Sequence, residues 1–255
     1  MAQSLSVPSV STEQMREVDR VMIEEYGIVL LQMMENAGRN LARLAAGLTG
    51  GAAGKNILVL AGAGNNGGGG MTAARHLSNM GSRVRVLLSA ATGKLVGAPA
   101  HQASTLRAMG VDLLEAEATP EEAVQRAARD ADLIIDSLIG YSLAGAPRGQ
   151  AAVLIETANA SGRPVLSLDV PSGIDSGSGR VFEPSIKAAA TLTLALPKTG
   201  LTTPEARGRV GELYLGDLSV PPGLYRRLGL DVAPLFAEES VIRLRWSDGG
   251  WVSAG

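Results

Sequence analysis

The sequence predicts an α/β protein with a mostly parallel sheet covered by helices, on three observations. From Asn56 onward short apolar runs alternate with amphipathic stretches, the pattern of buried parallel strands joined by crossover helices. The run Ile57-Leu58-Val59-Leu60 empties into a glycine tract from Gly62 to Gly70 and then into the alanine-rich Met71-Thr72-Ala73-Ala74-Arg75-His76-Leu77. That order reads as strand, tight loop and helix start in the first half of a βαβ unit. Finally, three strands give way to polar residues: Asn65-Asn66, Asp136 and Asp169. Ligands of open parallel sheets bind beyond the carboxyl ends of the strands, so these groups converge on one crevice.

Taking the elements in order, Ser11-Thr12-Glu13-Gln14 is a capping box, with Ser11 as N-cap, Gln14 at N3, and Met15, Val18 and Met22 on one helical face. This helix is predicted to end near Tyr26-Gly27. A second runs from about Leu30 to Leu48, with Met34, Leu41, Leu44 and Ala45 at helical spacing and Gly50-Gly51 closing it; Met33 and Met34 read as core filler. Strands are expected at Asn56 to Leu60, Arg83 to Leu88, Asp112 to Ala116, Leu133 to Asp136, Val165 to Asp169, Ala190 to Leu196 and Glu212 to Leu215, with helices between them. Thr119-Pro120-Glu121-Glu122 predicts a helix start with Thr119 as N-cap. The tail from Pro221 has little periodicity; about 245–255 is expected to be poorly structured, with Ser247-Asp248-Gly249-Gly250 reading as frayed.

At 255 residues the chain suits one domain, 1–255, with a full core. No apolar run is long enough to span a membrane, and Met1-Ala2-Gln3-Ser4-Leu5-Ser6 has neither a basic nor an apolar signal region, so the expectation is a soluble cytoplasmic protein. Zero cysteines exclude disulfides, thiolate metal sites and a cysteine nucleophile. With two histidines a His-rich zinc site is disfavoured; His76 and His101 read as packing or surface residues. A net charge of -2 offers no electrostatic footprint for nucleic acid.

The glycine tract contains G-x-G-x-x-G from Gly62 to Gly67. Its backbone can approach a ligand closely, and free N–H groups at the following helix N-terminus favour an anion such as phosphate. A tight turn without a ligand explains the glycines too. A dinucleotide fingerprint also wants an acid at the end of the second strand, whereas Arg83 to Leu88 is followed by Ser89-Ala90-Ala91; a plain NAD dehydrogenase is disfavoured. Asp136 leads into a second glycine-punctuated loop, Ser137 to Ala146, and Asp169 opens Asp169-Val170-Pro171-Ser172-Gly173-Ile174-Asp175. Either acid alone could cap a helix or hold a turn; two acids and two glycine loops on one sheet edge favour a site.

Asn65-Asn66-Gly67-Gly68, Asp136-x-x-x-Gly140, Asp169-Val170-Pro171-Ser172-Gly173 and Pro197-Lys198-Thr199-Gly200-Leu201, in this order, resemble the NAD(P)H-hydrate epimerase family, the YjeF N-terminal domain. The resemblance extends from Met15 and Met34-Glu35-Asn36-Ala37-Gly38 to Gly211-Glu212-Leu213-Tyr214 and Pro221-Pro222. It implies a Rossmann-like three-layer αβα sandwich, usually a homodimer, that interconverts the R and S epimers of NADH or NADPH hydrated at C6 of the nicotinamide ring (NADHX and NADPHX). The S epimer is the one an ATP- or ADP-dependent dehydratase repairs; here that partner is expected to be a separate protein. The resemblance further implies substrate-binding positions at Asn65, Asn66, Gly67, Gly68 and Gly69 and at Gly140, Tyr141, Ser142, Leu143, Ala144, Gly145 and Ala146. It implies a potassium ion held by Asn66, Asp136 and Ser172, a set of hard oxygen donors. Asp169 corresponds to the residue at the reacting end of the substrate, where a proton must move as the centre opens and recloses; Lys198 is a candidate to stabilise charge beside it.

The family motif reads N-N-G-G-D-G, and the aspartate position here is Gly69. Ser142 stands where many relatives have glycine. The loss of a carboxylate at Gly69 leaves an alternative reading: a non-catalytic nucleotide-binding or dimerisation module of the same fold.

Overall fold

The computed structural model describes residues 5–254; Met1 to Ser4, part of the N-terminal segment considered for targeting, and Gly255 lie outside the described residues. The chain order is β1 (Ser6–Val7), α1 (Thr12–Glu24), α2 (Leu30–Leu48), β2 (Asn56–Ala61), α3 (Asn65–Asn79), β3 (Arg83–Leu88), α4 (Gly97–Ala108), β4 (Asp112–Glu115) and α5 (Glu121–Asp130). It continues with β5 (Leu133–Ser137), α6 (Gly149–Ala160), β6 (Val165–Leu168), β7 (Ala190–Leu194), α7 (Pro204–Val210), β8 (Glu212–Gly216), α8 (Pro222–Arg227), β9 (Val241–Ser247) and β10 (Gly250–Ser253). One sheet runs in the order β1-β10-β9-β8-β7-β6-β5-β2-β3-β4. The seven strands from β8 to β4 are parallel, and they are the seven the apolar runs predict. Both faces of these strands are apolar, because successive side chains point to opposite sides. Ile57 and Val59 pack with Leu41, Met71, Leu77 and Leu106 under α2, α3 and α4. Leu58 and Leu60 pack with Val124, Ala128, Leu154 and Ile155 under α5 and α6.

From β2 the chain moves outward to β3 and β4, then returns to the other side of β2 as β5, β6, β7 and β8. The order therefore reverses between β2 and β5, and the crevice beyond their carboxyl ends is where a ligand of such a sheet binds.

Three expectations are corrected. The tail is not frayed: β9 and β10 form an antiparallel hairpin that extends the sheet past β8. Its loop is Asp248-Gly249, with φ of 51° and 81°, and Ser247 is paired with Gly250; Asp-Gly supplies the two positive φ angles that a tight two-residue hairpin turn requires. Trp246 and Trp251 face each other across it, edge to face at 5.0 Å, and the Arg207 guanidinium lies 4.3 Å from the Trp246 ring. Second, the glycine tract is not all loop, since α3 begins at Asn65 and Gly67 to Gly70 are buried within it. A Cβ on Gly68 would lie 2.6 Å from Met34 Cε, and one on Gly38 of α2 would lie 2.5 Å from Thr72; these glycines let α3 sit directly on α2 and the sheet. Third, Thr119 does not cap α5: its hydroxyl donates to the Glu115 carbonyl at 2.8 Å, and Pro120 takes the N-cap position. The capping box of α1 forms as expected, with Gln14 N–H donating to Ser11 Oγ at 3.2 Å and Ser11 N–H to Gln14 Oε1 at 2.9 Å.

Candidate active site

A cavity of about 520 Å³ opens at the crevice between β2 and β5, within the range of small-molecule sites. The end of β2 and the first turn of α3 contribute Asn65, Asn66 and Gly69; the loop after β5 contributes Gly140, Tyr141 and Ser142; the turns after β6 and β7 contribute Asp169 and Lys198. Met33 and Met34, expected only as core filler, are 3 % exposed yet form part of the apolar wall. Of the other expected binding residues, Gly67, Gly68, Leu143, Ala144, Gly145 and Ala146 do not line the cavity. Gly67 and Gly68 are taken up by the packing of α3, where a side chain would run into Gly62 and Met34. Leu143 to Ala146 follow Ser142 along the loop to α6.

Asp169 and Lys198 form a buried ion pair, 4 % and 1 % exposed. Asp169 has φ 70°, a left-handed conformation that Asp adopts more readily than most residues and that is retained where surroundings over-determine it. Its N–H donates to the Leu192 carbonyl at 2.7 Å, and Oδ2 accepts from the Tyr141 N–H at 3.1 Å. Lys198 Nζ, besides the carboxylate, donates to the Leu194 carbonyl at 2.9 Å. A backbone bridge holds this lysine's segment: Val10 N–H donates to the Pro197 carbonyl and Thr199 N–H to the Val10 carbonyl, both at 2.9 Å. Nothing in a lone lysine after a strand signals that the segment before α1 covers it.

Asp136 is fully buried. Ser172 N–H (2.9 Å) and Ser167 Oγ (2.8 Å) donate to its Oδ2, and Ser172 Oγ (2.6 Å) and Leu138 N–H (3.2 Å) to its Oδ1. Burial pushes its carboxyl above the usual carboxylate range, against those hydrogen bonds, and among the described residues no cationic side chain forms an ion pair with it. Ser172 Oγ also lies 3.2 Å from the Ile139 carbonyl, and the Asn66 side chain sits against Gly140, leaving its buried Nδ2 without a partner. A half-turn of that amide puts an unpartnered carbonyl oxygen there instead. An uncompensated buried carboxylate with neutral oxygen donors around it fits a hard monovalent cation.

The sequence reading passed over Asp19 of α1, which lines the same cavity and accepts from the Tyr141 hydroxyl at 2.6 Å. Its one signal was its place on the buried side of the capped helix, next to Val18. His76, expected as a packing or surface residue, bonds Glu35 at 2.8 Å outside the cavity.

The family model of the YjeF-related protein N-terminus matches residues 30–200. A relative from Dehalogenimonas lykanthroporepellens named NAD(P)H-hydrate epimerase is 45 % identical over 90 % of this chain and 89 % of its own. One of the same name from Rhodopirellula baltica is 36 % identical over 89 % and 90 %. A bifunctional NAD(P)H-hydrate repair enzyme from Moorella thermoacetica is 36 % identical over 84 % of this chain, which spans 41 % of that longer protein. A yeast crystal structure superposes with a TM-score of 0.80 over 93 % of this chain and all of its own, at 24 % identity, showing the same fold.

Proposed function

Because the chain belongs to the YjeF-related N-terminal family, we propose that it is an isomerase interconverting the R and S epimers of NADHX and NADPHX. The observation that carries this reading is the buried Asp169–Lys198 pair at the wall of a cavity at the sheet's reversal point. Epimerisation at the hydrated C6 needs a proton delivered and withdrawn as the centre opens and recloses, and a positioned carboxylate does this. Lys198 orients that carboxylate and offsets its charge. The nicotinamide end occupies the apolar side of the cavity near Met33 and Met34, and the diphosphate lies toward the N-terminus of α3 at Asn65, whose first-turn N–H groups favour an anion. The direct test is to incubate the purified protein with one resolved epimer and follow the appearance of the other by chromatography. Equilibration faster than the uncatalysed rate is expected, and its absence would leave the module reading.

Asn66, Asp136 and Ser172 would hold a potassium ion, whose chemistry there is to compensate the buried Asp136 charge and fix the loop that carries Gly140 and Tyr141. Binding to the folded state alone raises its stability by about 2.7 kcal/mol at a hundred times the dissociation constant. Melting is therefore expected at a higher temperature in potassium chloride than in tetramethylammonium chloride at equal ionic strength, with the difference lost in Asp136→Asn. Identical wild-type curves would reject the cation.

Gly69 admits a second prediction. It lies inside α3 without a positive φ, so an aspartate's backbone fits, but its Cβ would lie 2.8 Å from Leu168 Cδ2 and that branch must rotate away. Gly69→Asp is expected to raise the epimerisation rate, because it restores a carboxylate to the cavity wall, at a cost in stability from crowding of about 1–3 kcal/mol, read as a lower melting temperature. An active parent with no gain in the variant would mean that another group already does this work.

As parts of the same reading, the S epimer passes to an ATP- or ADP-dependent dehydratase, and the protein works in the cytoplasm as a homodimer. The exposed Ile23, Tyr26, Val29 and Leu31, from the end of α1 to the start of α2, support an apolar contact between copies. Among the described residues no helix is long and apolar enough to cross a membrane.

A further inference from the structure

Inverting C6 by loss and return of its hydroxyl moves a proton on each face of the ring, and the Asp169–Lys198 pair serves one of them. The cavity has a second carboxyl. Asp19 enters it from α1 and Asp169 from the sheet edge, and one residue ties the two acids together. The Tyr141 N–H donates to Asp169 Oδ2 at 3.1 Å while its hydroxyl donates to Asp19 Oδ2 at 2.6 Å. Tyr141 thus spans the space between the carboxyls. The two acids are differently furnished: Asp169 has the Lys198 ammonium, and Asp19 forms no ion pair among the described residues.

We propose, on the epimerase reading above, that Asp19 is a second acid–base group of the reaction, working with Asp169 on opposite faces of the hydrated ring and held in place by Tyr141. In one direction the Asp19 carboxyl gives its proton to the C6 hydroxyl as the C–O bond breaks. The ring nitrogen's lone pair forms the C=N bond and water departs. A water molecule then adds to C6 from the other face, the C=N pair returns to nitrogen, and the Asp169 carboxylate takes the proton that this water releases. The reverse reaction exchanges the two roles. One water leaves, one enters, and nothing is oxidised or reduced.

The surroundings of Asp19 suit a group that must hold a proton. Burial pushes its carboxyl above the usual range, and the Asp169 charge adds to this. The Tyr141 hydrogen bond and the Lys198 ammonium act in the opposite sense. The ionisation of Tyr141 is itself pushed up chiefly by burial and by Asp19, with Asp169 acting in the same sense and Arg16, on the same helix as Asp19, in the opposite one. A reaction that needs one group as acid and another as base gives a bell-shaped rate profile.

The experiment is the pH–rate profile of epimer equilibration for the wild type, Asp19→Asn and Tyr141→Phe, each with a melting curve. Asp19→Asn is expected to lose at least ~100-fold in rate and one limb of the bell while remaining folded. Tyr141→Phe keeps the N–H on Asp169 and removes only the hydroxyl that stabilises the Asp19 anion, so the alkaline limb is expected to move to higher pH with a smaller loss of rate. A lower melting temperature with the rate and both limbs in their wild-type positions would make Asp19 a latch between α1 and the loop and overturn the proposal. An inactive wild type would overturn it together with the epimerase reading, whereas an active wild type with an equally active Asp19→Asn overturns it alone.

Discussion

Asp169→Asn is expected to lower epimer interconversion by at least ~100-fold, the scale of a positioned acid or base, in a protein that still folds. Asparagine is nearly isosteric and, like aspartate, tolerates the left-handed backbone at φ 70°. Its amide oxygen can still accept from the Tyr141 N–H, and its own N–H can still donate to the Leu192 carbonyl. What it lacks is a carboxylate able to take and return a proton. Some stability is lost as well, because the Lys198 ammonium keeps the Leu194 carbonyl but no anion, so rates are to be compared well below the melting temperature of the variant. Wild-type turnover in a folded Asp169→Asn protein would remove this residue from the mechanism.

How far the sequence reached follows from the range of each interaction. The parallel strands were legible because each is apolar on both faces: Ile134 and Ile135, adjacent in β5, are buried on opposite sides of the sheet, and such a run has few other uses. The start of α1 was legible because its cap closes within four residues. At the carboxyl ends of β2, β5 and β6 the topology brings Asn66, Asp136 and Asp169 to one sheet edge, with Asn66 and Asp169 lining the cavity and Asp136 fully buried outside its lining.

The misses have local and non-local causes. Asp248-Gly249 is a hairpin signal in itself, set in a tail with no longer periodicity to point at it, and the cross-strand Trp246 and Trp251 flank that same turn. Gly67 to Gly70 look like loop by composition, since glycine is a poor helix former; Gly68 and Gly70 are nonetheless glycine inside a helix because Met34 and the sheet residue Ser137 leave no room for side chains there. That crowding belongs to residues thirty or more positions away. Asp19 and the burial of Lys198 depend likewise on long-range partners, Tyr141 for the first and the Val10 segment for the second.

Lys198→Met carries the largest expected loss of stability, on the order of 3–5 kcal/mol, because it removes one member of a buried ion pair and strands the other. Methionine matches the length and the apolar stem of lysine, so the cavity walls stay filled. The Asp169 carboxylate would keep only the Tyr141 N–H among the partners identified for it. Two costs are mixed in that figure, the lost hydrogen bond from Lys198 to the Leu194 carbonyl and the unpaired charge, and a double-mutant cycle separates them. With Asp169→Asn in the background no carboxylate remains to be stranded, so adding Lys198→Met should cost much less than it does in the wild type. The two effects in urea denaturation are thus expected to be strongly non-additive, and the double variant to be more stable than Lys198→Met alone. Additive losses would mean that the pair contributes no mutual stabilisation, and that Lys198 is held by Leu194 and the Val10 bridge rather than by the carboxylate it faces.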